Sequence, residues 1–250
     1  MSEAEHILEA VSVFWFRRDL RLEDNRGLTE ALNSGLPVLP VFIFDSQIIE
    51  DLPVEDPRIS FIYEQLKKIH RKLTDRGSAL HVQRGKPLEV WQELLASFDV
   101  RAVYANKDYE PYALKRDQEL VSLLETKGIP FHAFKDQVIF EEDEILKKDG
   151  RPYTVFTPYK RRWLEQFSEG DAQKWEPQSG SAFLEAYADF PEIGDLGFSA
   201  SHIQVPPYDL SSLNQYPALR DLPAADATSH LSPHLRFGTV SIREIVRRLK

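Results

Sequence analysis

Short apolar runs alternate with longer amphipathic segments along the first 140 residues. The first run, VSVFWF at residues 11–16, is continuously apolar, the pattern of a strand buried on both faces. Further strand-like runs stand at residues 37–45 (PVLPVFIFD), 79–85 (ALHVQRG), 101–109 (RAVYANKDY) and 130–140 (PFHAFKDQVIF). Helical patterns separate them at residues 25–35, 57–77, 87–99 and 111–128. In the second of these helices, Ile59, Ile62, Tyr63, Leu66, Ile69 and Leu73 share one face and Gly77 ends the segment. The last begins with Pro111 in its first turn and ends at Gly128. Parallel strands need crossover connections, so five strands alternating with four helices predict an α/β fold with a doubly wound five-stranded parallel sheet. Ligands of such sheets sit beyond the carboxyl ends of the strands. The segments to watch are therefore RRDLRLEDN after the first strand and NKDYEP after the fourth.

The alternation stops near residue 141. From 141 to 207 one helix-like piece survives in a stretch otherwise rich in Gly, Ser and Pro, which predicts a long connection over the protein surface. A structureless stretch of that length is usually a functional loop or a domain linker. From 208 to 250 the pattern is helical again: SPHLRFGTVSIREIVRRLK places Ile242, Ile245, Val246 and Leu249 on one stripe. The expected organisation is an α/β domain over 1–140, an interdomain linker over 141–207 and the beginning of an all-helical domain over 208–250, with no room to finish.

Composition narrows the chemistry. The 250 residues contain no cysteine, which excludes disulfides, thiolate nucleophiles and cysteine-ligated metals. No apolar run approaches the roughly 20 residues that span a bilayer, and the acidic opening MSEAEHILEA does not read as a signal peptide; the expected location is the cytoplasm. A net charge of −9 leaves nucleic-acid binding dependent on a local basic patch. Arg236, Arg243, Arg247, Arg248 and Lys250, opposed only by Glu244, offer one such patch or a solvated helix face.

Neither G-x-G-x-x-G nor a P-loop is present, so the fold alone points to no chemistry. The charges of FRRDLRLEDN either shape a ligand crevice or fix the loop to the domain, with Asp24 or Asn25 as a helix N-cap. His230 and His234 have the spacing of a metal pair, but the intervening Pro233 starts a helix and no third ligand is in view, so no metal site is expected. Thr228, Ser229 and Ser232 crowd three hydroxyls before that helix. Such hydroxyls suit either N-caps or an anionic phosphate, and spacing does not choose between them.

Four separated motifs then resemble one family. FWFRRDLRLEDN, YANKDYEPYALKRD, YTVFTPYKRRW and YPALRDLPAADATSHLSPHLRFG fall in the order and spacing of the photolyase/cryptochrome family, most like its bacterial cyclobutane-dimer members. The resemblance covers nearly the whole chain. It implies an α/β antenna domain, a wrapping linker and a helical domain that holds FAD, within which this chain ends. It also implies that Tyr216, Thr228, Ser229, Leu231 and Ser232 are flavin-binding, with the hydroxyls and backbone amides near the pyrophosphate, and that Arg220 is DNA-binding. The implied activity of the whole protein is a lyase that repairs UV-damaged DNA by splitting pyrimidine dimers with an electron from light-excited reduced FAD, the flipped-out dimer being the family's known substrate pose. A cryptochrome-type blue-light sensor and a 6-4 photolyase are the alternatives. The chain departs from the family where Ala227 replaces a common Gly and His230 a common Arg or Lys. Tyr112 and Ala113 stand where folate-binding members carry Asn and Glu, which weakens a folate antenna without excluding it and leaves a deazaflavin, a second flavin or no antenna open. No catalytic residue is expected within these 250 residues, weak FAD binding and no activity are expected of them alone, and the protein is expected to be a monomer.

Overall fold

The computed structural model of the chain describes residues 9–211, 213–222, 224, 225 and 227–249. Five strands, β1 (Ala10–Phe16), β2 (Val38–Asp45), β3 (His81–Gly85), β4 (Asp99–Asn106) and β5 (Phe131–Phe134), form one sheet in the order β3-β2-β1-β4-β5. Every pairing is parallel. The crossovers are carried by α1 (Arg26–Leu32), the short α2 (Ser46–Ile49) with α3 (Pro57–Thr74), α4 (Pro87–Ser97) and α5 (Pro111–Glu125). The doubly wound sheet expected from the apolar runs is therefore present. Its fifth strand is shorter than the run at 130–140, because the chain turns away after Phe134 and buries the carboxylate of Asp136.

The strand period of two divides the core into two layers. Phe14 and Phe16 of β1 join Val38, Phe42 and Phe44 of β2 and the apolar faces of α1 and α3. Val11, Val13 and Trp15 point the other way, against Leu39, Val41 and Ile43 and the buried faces of α4 and α5. Continuous apolar runs are what a sheet covered on both faces requires.

The segment after β5 holds α6 (Phe156–Gln166) and a 3-10 turn (Glu169–Ala172). Beyond it the chain follows the domain as a strap. Leu184 donates its N–H to the Val38 carbonyl at 2.8 Å, and Ser199 to that of Val54 at 2.9 Å. Leu196 and Phe198 are buried in the α3-side core. An irregular stretch rich in Gly, Ser and Pro is thus held by its few large apolar residues. Three short helices follow, α7 (Tyr216–Leu219), α8 (Leu231–Arg236) and α9 (Ile242–Arg248).

Candidate functional site

The loop after β1 is a knot of buried polar groups. Asn106, the last residue of β4, donates Nδ2 to Asp19 Oδ2 at 2.5 Å and to Asn25 Oδ1 at 2.7 Å. Its Oδ1 accepts the Gly27 N–H at 2.8 Å. A Cβ on Gly27 would lie 2.7 Å from that oxygen, so only glycine permits the approach. Asn25 also caps α1 by accepting the Leu28 N–H at 3.1 Å. Arg17 reaches Asp117 on α5 at 2.6 Å and the Asn106 carbonyl. Burial pushes the Asp19 carboxyl above its ordinary range, opposed by the Arg17 N–H and by Arg21.

The same loop binds the C-terminal segment. Leu20 donates to the Phe237 carbonyl at 3.0 Å, and Arg21 to the Gly238 carbonyl at 3.0 Å. Arg21 also pairs with Asp136 at 2.6 Å. Arg243 of α9 contacts Asp24 Oδ1 at 3.0 Å and Asp136 Oδ1 at 2.7 Å. Burial would raise the Asp136 carboxyl, but Arg21 and Arg243 hold it below the usual carboxylate range. Arg247 adds contacts to Asp24 Oδ2 at 3.2 Å and to the Ala172 carbonyl. Of the two readings open for FRRDLRLEDN, loop fixation accounts for Arg17, Asp19, Arg21, Asp24 and Asn25.

This removes residues from the candidate basic patch. Arg243 is buried and doubly paired, Arg247 faces Asp24 and Arg236 pairs with Glu110 at 2.6 Å. Arg248 is exposed but paired with Glu244 at 2.5 Å. Lys250 lies outside the described residues. For Arg236, Arg243 and Arg247 a helical wheel cannot show this, because their partner acids are more than 100 positions away in sequence.

A crevice of about 190 Å³ opens at the carboxyl ends of β1, β2 and β4, beside the point where the strand order reverses. Phe42, Phe44, Ile48, Ile49, Ile59 and Ile62 form an apolar wall. The opposite side is polar. Tyr112 donates its hydroxyl to Asp45 Oδ2 at 2.6 Å, while Asp45 Oδ1 caps α2 at Gln47. Burial and that carboxylate push the Tyr112 phenol well above its ordinary range, so it stays protonated and a donor. The Arg116 guanidinium lies 4.7 Å from the Trp15 ring centroid, in cation–π range. At the mouth Glu110 accepts from both Arg18 (2.9 Å) and Arg236 (2.6 Å). The arrangement fits a flat, largely apolar aromatic molecule with a polar edge. Tyr112 and Ala113, singled out beforehand, both line it; Arg236 and Phe237 were not anticipated there.

The residues expected to hold a flavin lie along one stretch rather than in a closed pocket. Tyr216, at the start of α7, is 43% exposed. Thr228 and Ser232 are exposed and Ser229 is half-buried, its carbonyl accepting the Asp209 N–H at 2.9 Å. Leu231 opens α8, whose N-cap is His230 in a left-handed conformation (φ 49°) with no side-chain cap bond. The hydroxyls of Thr228, Ser229 and Ser232 are thus not the caps of this helix. They have no hydrogen-bond partner among the described residues. Arg220 is exposed and 3.7 Å from Asp221. Both ring nitrogens of His234 are engaged, with Thr239 at 2.9 Å and the Pro206 carbonyl at 3.0 Å, so a metal would have to break both contacts.

Comparison with known proteins agrees with this architecture. The family model described as DNA photolyase matches residues 12–178. A deoxyribodipyrimidine photo-lyase of Halobacterium salinarum is 32% identical over 94% of this chain and 53% of its own length. The crystal structure of a class III photolyase from Agrobacterium tumefaciens superposes with a TM-score of 0.80 at 25% identity, over the whole of this chain and 55% of that one. An archaeal photolyase from Sulfolobus tokodaii, solved with two FAD molecules, superposes with a TM-score of 0.76 at 28% identity, over 95% of this chain and 54% of that one. The chain spans about half the length of the relatives it matches.

Proposed function

The chain belongs to the DNA photolyase family, and from that membership we propose that the whole protein is a deoxyribodipyrimidine photo-lyase that splits cyclobutane pyrimidine dimers in light. FAD, when bound, supplies the electron that opens the dimer. On this reading Tyr216, Thr228, Ser229, Leu231 and Ser232 form one edge of its site, with the unpartnered hydroxyls donating to the pyrophosphate and Arg220 facing DNA phosphate. The exposure of Tyr216, Thr228 and Ser232 supports assigning the rest of that site to helices beyond α9. The division into an antenna domain over 1–140, a linker over 141–207 and a helical domain from 208 follows the same reading, as do a cytoplasmic location and a monomeric state. No helix among the described residues is long and apolar enough to cross a membrane.

The observation that carries the reading is the crevice. Its mouth is completed by Arg236 and Phe237, at the end of the same short helix α8 that Leu231 and Ser232 begin, so one element would link a chromophore held there to a flavin held along 228–232. We assign it a light-collecting heteroaromatic, a deazaflavin or a second flavin, as the two FAD molecules of the Sulfolobus tokodaii protein suggest. This chain's residues would bind and orient the ring: the Ile and Phe wall excludes water, the Tyr112 hydroxyl donates and Arg116 fixes the polar edge. Illuminating one oligonucleotide that contains a cyclobutane dimer and another that contains a 6-4 photoproduct, with the whole protein and a reductant, tests the activity. Light-dependent loss of the dimer is expected; a dimer that persists would favour the light-sensor alternative, and loss confined to 6-4 photoproducts the other.

A further inference from the structure

With Arg243 and Arg247 committed to buried acids, the cationic surface that remains lies elsewhere. Residues 146–166 carry six cations (Lys147, Lys148, Arg151, Lys160, Arg161, Arg162) against two acids (Asp149, Glu165), a net +4 in a chain of −9. Folding concentrates them. Leu146 and Pro152 pair as a narrow hairpin closed by the Lys147–Gly150 turn, and α6 starts four residues later. Between hairpin and helix runs an open groove of about 530 Å³ into which Lys147, Lys148, Arg161 and Arg162 converge, with Tyr153 on its wall and Glu165 as its one acid. Glu165 lies 3.8 Å from Arg162. Lys148 and Arg161 are exposed and have no ion-pair partner among the described residues. Of the four acids just upstream, Glu141 pairs with Lys107 at 2.9 Å and Glu144 with Lys135 at 2.7 Å, while Glu142 and Asp143 are exposed and line no part of the groove.

We propose that this hairpin–helix groove is a docking surface for the phosphate backbone of duplex DNA, flanking the lesion site rather than reading it. Four cations converging from two elements put like charges together at a cost that an ordinary solvated face avoids by interleaving acids, as α5 does with Lys115 and Glu119. A polyanion removes that cost and releases its own counterions. Cations facing phosphates give affinity without sequence preference, so the groove would hold damaged and undamaged duplex alike.

The inference rests on the reading of the protein as one that acts on DNA, yet it is tested in the dark without flavin, so repair plays no part in the readout. This chain is titrated with a labelled undamaged duplex of about 20 base pairs over a series of salt concentrations. The triple variant Lys148→Gln, Arg161→Gln, Arg162→Gln should flatten the slope of log K against log salt by about 2.7, three contacts at about 0.9 each, and weaken binding at least about tenfold at low salt. A charge-matched variant on α3, Lys67→Gln, Lys68→Gln, Lys72→Gln, should leave the slope unchanged, and Arg161→Lys with Arg162→Lys should retain it. No binding by the unmodified chain, an unchanged slope in the groove variant, an equal loss in the α3 variant, or binding to phosphatidylserine vesicles without binding to DNA would each overturn the proposal. Failure of the whole protein to repair dimers, with the groove effect intact, would count against the photolyase activity alone.

Discussion

Arg243 donates Nη2 to Asp136 Oδ1 at 2.7 Å across 107 positions of sequence. Both side chains are almost wholly buried, and Arg21 holds the other Asp136 oxygen at 2.6 Å. Helix α9 is thereby attached to the end of the sheet by a charge cluster beside its buried Ile245. Asp24, which adopts φ 49°, completes it by accepting from Arg243 and Arg247.

Removing Arg243 leaves Asp136 with one cation and strips Asp24 of its buried partner. Arg243→Ala should cost about 3–5 kcal/mol, the usual penalty for breaking a buried pair, read as a lower urea midpoint. Arg248→Ala, which removes an exposed i,i+4 pair, should cost less than about 0.5 kcal/mol. Equal midpoints for the two variants would contradict the cluster's role.

The cluster also sets an acid limit. The Asp136 carboxyl titrates below its ordinary value in the folded chain, so its stabilisation is fully present above the unfolded pKa of about 3.9 and is lost as pH falls through the lowered folded value. Asp19 acts in the opposite sense: its folded pKa is raised, so its ionisation costs stability as pH rises through that region. Denaturation midpoints measured from pH 6 down to pH 2.5 should fall, and Asp136→Asn should make the decline shallower. An unchanged slope would remove Asp136 from the explanation.

Gly238 packs against the loop after β1. Its φ is +61°, and a Cβ there would stand 2.2 Å from the Arg18 carbonyl oxygen and 2.6 Å from Asp19 Cα. Gly238→Ala should therefore destabilise by at least about 1–3 kcal/mol and expose the 228–240 segment to limited proteolysis. Protease resistance equal to that of the unmodified chain would show that the backbone has another way to pass.

The crevice makes an optical prediction. Trp15 lines it, so riboflavin added to the chain in the dark should quench part of the tryptophan emission saturably. Ile48→Glu, at a wall position already 52% exposed, should weaken that binding about tenfold by placing a charge against the ring, with little effect on folding. Tyr112→Phe should weaken it less. Quenching without saturation, or of equal affinity in the Ile48 variant, would place the ring elsewhere.

The α/β architecture was legible because its information is local. Val11, Val13 and Trp15 alternate with Phe14 and Phe16 so that both faces of β1 are apolar, and Pro57, Pro87 and Pro111 mark three helix starts that the structure reproduces. The carboxyl-end loops line the crevice, since a parallel sheet fixes where strands end. Asp136, inside an apolar run, was the available hint of a buried ion cluster and went unread.

What sequence alone determined, then, is what period, capping and motif order encode: the number and direction of strands, the helix starts, the strap after residue 141 and the family. The tertiary structure alone decided the fate of each charge. Arg243 and Arg161 have the same side chain in similarly basic helices, yet one is buried between Asp24 and Asp136 while the other stands in an open groove. A cation's role depends on which anions folding brings within a few ångströms, because charge interactions weaken steeply with distance and with exposure to water. Those distances are set by chain crossings that no local pattern records.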